Sequence, residues 1–367
     1  MIQIKEIAEY LETVAPLALQ ESYDNAGVIV GDLSAKVSSA LVTIDVTEEV
    51  VEEAIAKNAG IIIAHHPVIF SGLKKLTGRN YVERTVIKAI KNDIAIYAAH
   101  TNLDAISGGV NSKICEKLGL LNCRFLQPVH GSLRKLVTFI PYEAADKVRE
   151  AVFSAGAGSI GNYDSCGYNI EGTGSFRGGE SSNPYVGKKG EVHYEKEIRF
   201  ETIFPRWKQD KIITALIGSH PYEEVAYDIY PLENSYEKAG MGMIGELAEP
   251  MAETDFLAML EKRLQTGCIR HTALRNKQVA KVAVCGGSGS FLISDAIAAN
   301  ADFFVTADVK YHQFFDAENK IVIADIGHYE SEQFTKEIFY ELLTKKFTNF
   351  AVRFSEVNTN PVFYYNS

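Results

Sequence analysis

Short runs of nearly unbroken apolar residues, alternating with stretches of helical spacing, set the limits on what this chain can fold into. Residues 40–44, 61–64 and 94–98 (Ala-Leu-Val-Thr-Ile, Ile-Ile-Ile-Ala and Ile-Ala-Ile-Tyr-Ala) read as strands that are apolar on both sides. Helices are predicted over 4–14, 48–57, 84–92 and 110–118. A strand with two apolar faces must be covered on both, which calls for a mainly parallel sheet flanked by helices. The same alternation returns after about residue 240. It predicts a helix over 256–264, a strand over 281–285 and a tight glycine turn over 286–290 leading into a helix over 292–299. Strands over 303–305 and 321–324 and a long helix over 331–345 follow.

Between these stretches the pattern changes. Strand-like segments are predicted at 136–140, 197–204 and 225–231, and helices at 143–155 and 208–219. A Gly- and Ser-rich stretch, 172–190, reads as a long mobile loop. These three strands and two helices are read as the split, ferredoxin-like βαββαβ unit, which has four strands. With 367 residues, two or three units are expected. The predicted architecture is an α/β core in two lobes, 1–129 and 236–367, interrupted by an inserted α+β domain over 130–235.

Acidic residues outnumber basic ones, 47 to 37, for a net charge of -10. Non-specific nucleic-acid binding rests on Lys and Arg neutralising phosphates, so that class is disfavoured, although a nucleotide in a local basic pocket is not. No run of about 18 apolar residues exists to span a membrane. The opening Met1-Ile2-Gln3-Ile4-Lys5-Glu6 lacks the apolar core of a secretory leader, so a cytoplasmic protein is expected. Five scattered cysteines, none in a Cys-x-x-Cys pair, are read as buried free thiols.

Three strands end alike. The run 61–64 leads into His65-His66-Pro67, the run 94–99 into His100-Thr101-Asn102-Leu103-Asp104, and the run 321–324 into Asp325-Ile326-Gly327-His328. In open α/β sheets the carboxyl ends of strands are where ligands bind, so the three segments are expected to meet in one crevice. Adjacent histidines in a regular strand would point to opposite faces, but a bend at Pro67 lets both converge. His328 and Glu332 are four apart at a helix start and share one face. Three imidazoles and two carboxylates (His65, His66, His328, Asp104, Glu332) make a costly cluster without cations. With no thiolate among them, they suit Zn, Fe or Mn. Five ligands exceed one tetrahedral site and suit two divalent ions sharing a carboxylate, either Glu332 or Asp104. His100 is a further candidate, as an extra ligand or as a group that orients one. Lys310 and His312 either bind an anionic substrate or begin a helix. Asp45 and Thr47 read as a capping turn. The 286–290 turn lacks the spacing of a nucleotide-binding loop.

These motifs resemble the GTP cyclohydrolase 1 type 2 family, also called Nif-three-like. The likeness is carried by Asp24-Asn25-Ala26-Gly27, Thr43-Ile44-Asp45-Val46-Thr47, Ala64-His65-His66-Pro67 and His100-Thr101-Asn102-Leu103-Asp104. It continues through Thr306-Ala307-Asp308-Val309-Lys310-Tyr311-His312 and Gly327-His328-Tyr329-Glu330-Ser331-Glu332. The segment Ser219-His220-Pro221-Tyr222-Glu223-Glu224 resembles the end of the PII-like or CutA-like module of the longer members. The resemblance implies His65, His66, Asp104, His328 and Glu332 as ligands of two metal ions, with His100 and His312 at recurrent positions. It also implies a homohexameric ring, and hydrolysis of the imidazole ring of GTP with release of formate. Two-metal phosphoester hydrolysis and a non-enzymatic regulatory role acting through the insert are the competing expectations.

Overall fold

A computed structural model describes residues 1–365. The chain divides into two compact units, Met1–Gln127 together with the segment from Lys238 onward, and Pro128–Glu237.

The larger unit holds two central sheets. In the first, the order is Ala351–Phe354, Ser39–Thr43, Ile61–Ala64, Ala95–Ala98, Gly27–Val30. The first four strands run parallel and Gly27–Val30 is antiparallel at the edge. In the second, Val322–Asp325, Phe303–Ala307 and Gln278–Ser288 form a parallel centre. Arg270–His271 and Tyr236–Ala252 flank that centre as antiparallel neighbours.

The apolar runs are explained by what lies on each side of a sheet. Leu41, Ile62 and Ile96 face outward onto Val50, Val51 and Ala54 of the helix Glu48–Ala56 and Val86 and Ala89 of the helix Tyr81–Lys91. Their neighbours Ala40, Val42, Ile61, Ile63 and Tyr97 face inward. There they join a core with Val282, Val284, Phe303 and Val305 of the second sheet and the helices Ile4–Val14, Val110–Leu118 and Glu253–Leu264. Ala283, Phe304 and Ile323 face the other way, onto Leu292 and Ala296. The period of two along each strand thus divides its side chains between two layers.

The helix boundaries follow their caps. Asn80 accepts from the Glu83 N–H, so that helix begins at Tyr81 rather than at 84. Thr47 caps the helix Glu48–Ala56. The long helix expected over 331–345 is in fact two, His328–Glu332 and Thr335–Lys346. The glycine turn expected at 286–290 begins later, because the strand continues to Ser288 and a short 3₁₀ turn, Ser290–Leu292, precedes the helix Ile293–Ala298.

The smaller unit is a four-stranded antiparallel sheet with the order Tyr227–Pro231, Leu133–Pro141, Val192–Pro205, Gly167–Arg177. The helices Ala145–Ser154 and Gln209–Ser219 bury Val148, Val152, Ile212 and Leu216 against Leu136, Ile140, Phe200 and Phe204. One expectation is corrected here. Residues 172–177 are not loop but part of the edge strand Gly167–Arg177, which pairs residue by residue with Val192–Thr202. The irregular stretch is confined to 178–191. No helix among the described residues is long and apolar enough to cross a membrane. All five cysteines are free, but only Cys115 and Cys285 are buried, and Cys268 is exposed.

Candidate metal centre

The carboxyl ends of the strands bring the histidines together. Past Ala64 the chain bends so that both the His65 and His66 N–H groups donate to the same carbonyl, Ile44, at 3.1 and 2.9 Å. This departure from strand geometry sends both rings to one side, with centroids 4.8 Å apart. Past Ala98, the turn Thr101–Asp104 is pinned by Asn102, whose amide donates to the Ala15 carbonyl at 2.7 Å while its oxygen accepts from the His100 N–H at 2.9 Å. The His100 ring lies 5.3 Å from those of His65 and His66. From the second sheet, the short helix His328–Glu332 places its first and last residues on one face, with the His328 ring 5.2 Å from that of His66.

Each imidazole is held from outside through Nδ1. That atom lies 2.9 Å from the Ala99 carbonyl in His65, 2.8 Å from Asp45 Oδ1 in His66, 2.8 Å from Asp24 Oδ1 in His100 and 2.6 Å from Asp308 Oδ2 in His328. An acceptor on Nδ1 fixes the tautomer that leaves the Nε2 lone pair free to bind a cation. For His65, His66 and His328 the Nε2 atoms turn inward to the carboxylates. His66 Nε2 is 2.9 Å and His328 Nε2 3.1 Å from Glu332 Oε2, and His65 Nε2 is 3.6 Å from both Glu332 Oε1 and Asp104 Oδ1.

Two of these atoms, His65 Nε2 and Asp104 Oδ1, are buried and have no hydrogen-bond partner. Leaving such groups unpaired in a low-dielectric site is costly, and a cation between them would satisfy both. Three sets of donors lie within 4.8 Å of one another and could hold a metal: His65–Asp104–Glu332, His66–His328–Glu332 and His65–His66–His100. Glu332 belongs to the first two.

The charges agree with this packing. Burial opposes the charged form of His66, but Asp45 and Glu332 outweigh it and hold the ring's pKa up, to about 10. Burial likewise opposes the charge on His328, yet Glu332 and Asp308 raise it to about 11. Burial and the charge on Glu332 push Asp104 up, whereas the neighbouring imidazoles hold Glu332 well below the usual carboxylate range against its own burial. A buried carboxyl raised by a second carboxylate is what remains when acidic groups are gathered for a cation.

The five residues singled out in the sequence, with His100, therefore converge. Lys310 and His312 do not: both are exposed, Lys310 precedes the 3₁₀ turn Tyr311–Ala317, and the His312 ring stacks on Phe315. The turn after Asp45 does cap the next helix, through Thr47, and Asp45 itself also holds His66. Asp24 and Asp308 do the same for His100 and His328, and no chemical role was read for either. A signal for Asp45 and Asp308 was present, since both follow an apolar strand directly, as the histidines do. The cluster opens onto a cavity of about 1070 Å³.

An α/β chain with paired histidine–carboxylate groups at its sheet edges is the class so defined. Residues 2–361 match the family Duf34/NIF3 (NGG1p interacting factor 3), and the chain belongs to it. It is 41% identical over 360 residues to the GTP cyclohydrolase 1 type 2 homolog of Halalkalibacterium halodurans, covering 97% of each chain. With the homolog of Bacillus subtilis it is 38% identical over 367 residues, again 97% of each. Among solved structures, the Bacillus cereus protein related to NIF3 is similar over 99% of both chains, with 39% identity and a TM-score of 0.87.

Proposed function

We propose that this protein is a dinuclear metal-dependent hydrolase acting on a small molecule. The observation that carries the reading is the pair of buried, partnerless atoms, His65 Nε2 and Asp104 Oδ1, facing each other 3.6 Å apart beside Glu332. In this reading His65 and Asp104 would hold one divalent ion and His66 and His328 the other, with Glu332 serving both donor sets. Zn, Fe and Mn all suit such donors. A pair of ions held there supplies a hydrolytic nucleophile at neutral pH and polarises the substrate. Asp45, Asp308 and the Ala99 carbonyl keep the imidazoles aimed, and His100, oriented by Asp24, stands next to the cluster to move a proton.

The names of the relatives suggest a specific reaction, opening of the imidazole ring of GTP with release of formate. The cavity is large enough for one nucleotide. In the smaller unit, the strand order of Tyr227–Pro231, Leu133–Pro141, Val192–Pro205 and Gly167–Arg177 supports a ferredoxin-like, PII- or CutA-like insert. A homohexameric ring and a cytoplasmic location complete the proposal. The test is elemental analysis of protein purified without an affinity metal, followed by formate release from GTP with the metal found. Two ions per chain are expected, falling below two in His65→Ala. Protein that takes up none refutes the reading, and absence of formate removes the GTP reaction alone.

A further inference from the structure

The walls of the cavity carry a charge and a surface that bear on what can enter it. Two carboxylates lie in the cluster (Asp104, Glu332), two stand behind its histidines (Asp45, Asp308), and three more line the walls (Glu21, Asp325, Glu330). Against these seven the lining residues offer one permanent cation, Arg270. That guanidinium is already committed, since it pairs with Asp325 and donates to the Val309 carbonyl at 3.1 Å. Arg270 and two dications together cancel five of the seven negative charges. Even fully loaded, the cavity keeps a negative field, which low-dielectric walls concentrate rather than dissipate.

The surface is aromatic. Tyr23, Phe70, Phe291 and Tyr364 line the cavity and remain 60, 50, 57 and 40% exposed. Exposed rings grouped in a concave site are the usual sign of a ligand surface. They also form a path inward: Tyr23 lies 6.1 Å from Phe70, Phe70 packs edge-on 6.1 Å from His100, and His100 lies 5.3 Å from His65 and His66.

From the two together we infer that the substrate is an uncharged or cationic molecule with a planar ring, and that polyphosphates are selected against. The inference rests on the metal-dependent reading, narrows it, and sets aside the GTP reaction that the relatives' names suggest. A nucleobase or nucleoside meets the description, whereas a nucleoside triphosphate brings about four negative charges into a cavity whose one lining cation among the described residues, Arg270, is paired with Asp325.

The test uses two planar zinc chelators that differ by one charge, 8-hydroxyquinoline and its 5-sulfonate, on the zinc-loaded full-length protein. At low salt the parent should strip zinc at least about tenfold faster than the sulfonate, in line with the effect of a focused field on association rates. Added salt should narrow the gap by accelerating the sulfonate. Glu21→Gln should speed the sulfonate more than the parent. Equal rates, a faster sulfonate, or a sulfonate rate that falls with salt would overturn the inference while leaving the metal centre standing. Failure of the protein to retain zinc, iron or manganese, read by elemental analysis beforehand, overturns the metal-dependent reading itself.

Discussion

Gly287→Ala is a test of the metal centre that replaces none of its candidate ligands. Gly287 sits at φ +59°, where a side chain is disfavoured, and a Cβ built there would meet Glu332 Oε1 at 2.4 Å. Ordinary contact begins near 3.4 Å, so the carboxylate must retreat by about 1 Å. Retreat toward His328 is limited, because its Nε2 already lies 3.1 Å from Glu332 Oε2. The backbone penalty is about 1–2 kcal/mol, which lowers the melting temperature of the metal-free protein by about 2–4 °C. The effect on binding should be larger. Displacing the group common to both donor sets is expected to weaken metal affinity by about 10–100-fold, the range seen when groups supporting a metal site are lost. Chelator competition reads the affinity and thermal unfolding reads the stability. Gly72→Ala, whose Cβ would meet nothing within 4 Å, is the control. If Gly287→Ala bound two ions as tightly as the parent while still folded, Glu332 would not be the shared group.

Glu332→Gln should reduce the stoichiometry by at least one ion per chain, measured by elemental analysis after dialysis, because it removes the charge common to both positions. Phe200→Ala, which empties the centre of the smaller unit's core, should cost that unit about 3–5 kcal/mol in denaturant unfolding. Metal uptake should be unchanged, since every donor lies outside residues 128–237. His220 is buried and neutral, its Nε2 donating to the Phe139 carbonyl at 3.0 Å and its Nδ1 accepting from the Tyr222 N–H at 3.1 Å. Burial lowers its pKa in the folded state, so the unfolded chain takes up a proton first as the pH falls. Its contribution to stability is therefore complete above about pH 6.5 and is lost below it. Thermal unfolding between pH 5 and 8 should show this decline, and His220→Gln should flatten it.

Much of the core was legible because burial leaves a mark on sequence. Strands covered on both faces are apolar throughout, and Ile61–Ala64 could be read to the residue. The edge strand Gly167–Arg177 left no such mark. Most of its side chains are exposed and three of its positions are glycines, Gly167, Gly172 and Gly174, so nothing in its period of two distinguishes it from a loop. The break between Glu332 and Thr335 was missed because no Gly or Pro interrupts that stretch. At the site, the inward-facing ligands were legible because histidine at a strand end is unusual. Asp45 and Asp308 gave a weaker signal, since an aspartate at a strand end is most often a turn residue, and Asp24, in the irregular stretch before Gly27–Val30, gave none. The Thr359 hydroxyl, which donates to Asp45 Oδ2 at 2.7 Å from 314 positions away, has no local signature at all.

The donors come from stretches that straddle residues 128–237, and this fixes a sequence of events during synthesis. His65, His66, His100 and Asp104 leave the ribosome about 230 residues ahead of Glu332, an interval of roughly 10–45 s at ordinary elongation rates. Throughout that interval the nascent chain carries half a centre, without the carboxylate that both donor sets share. In the dinuclear reading proposed above, loading with both ions would therefore follow translation of the last helices, and the metal supply at that moment, rather than at initiation, would decide which ions are captured.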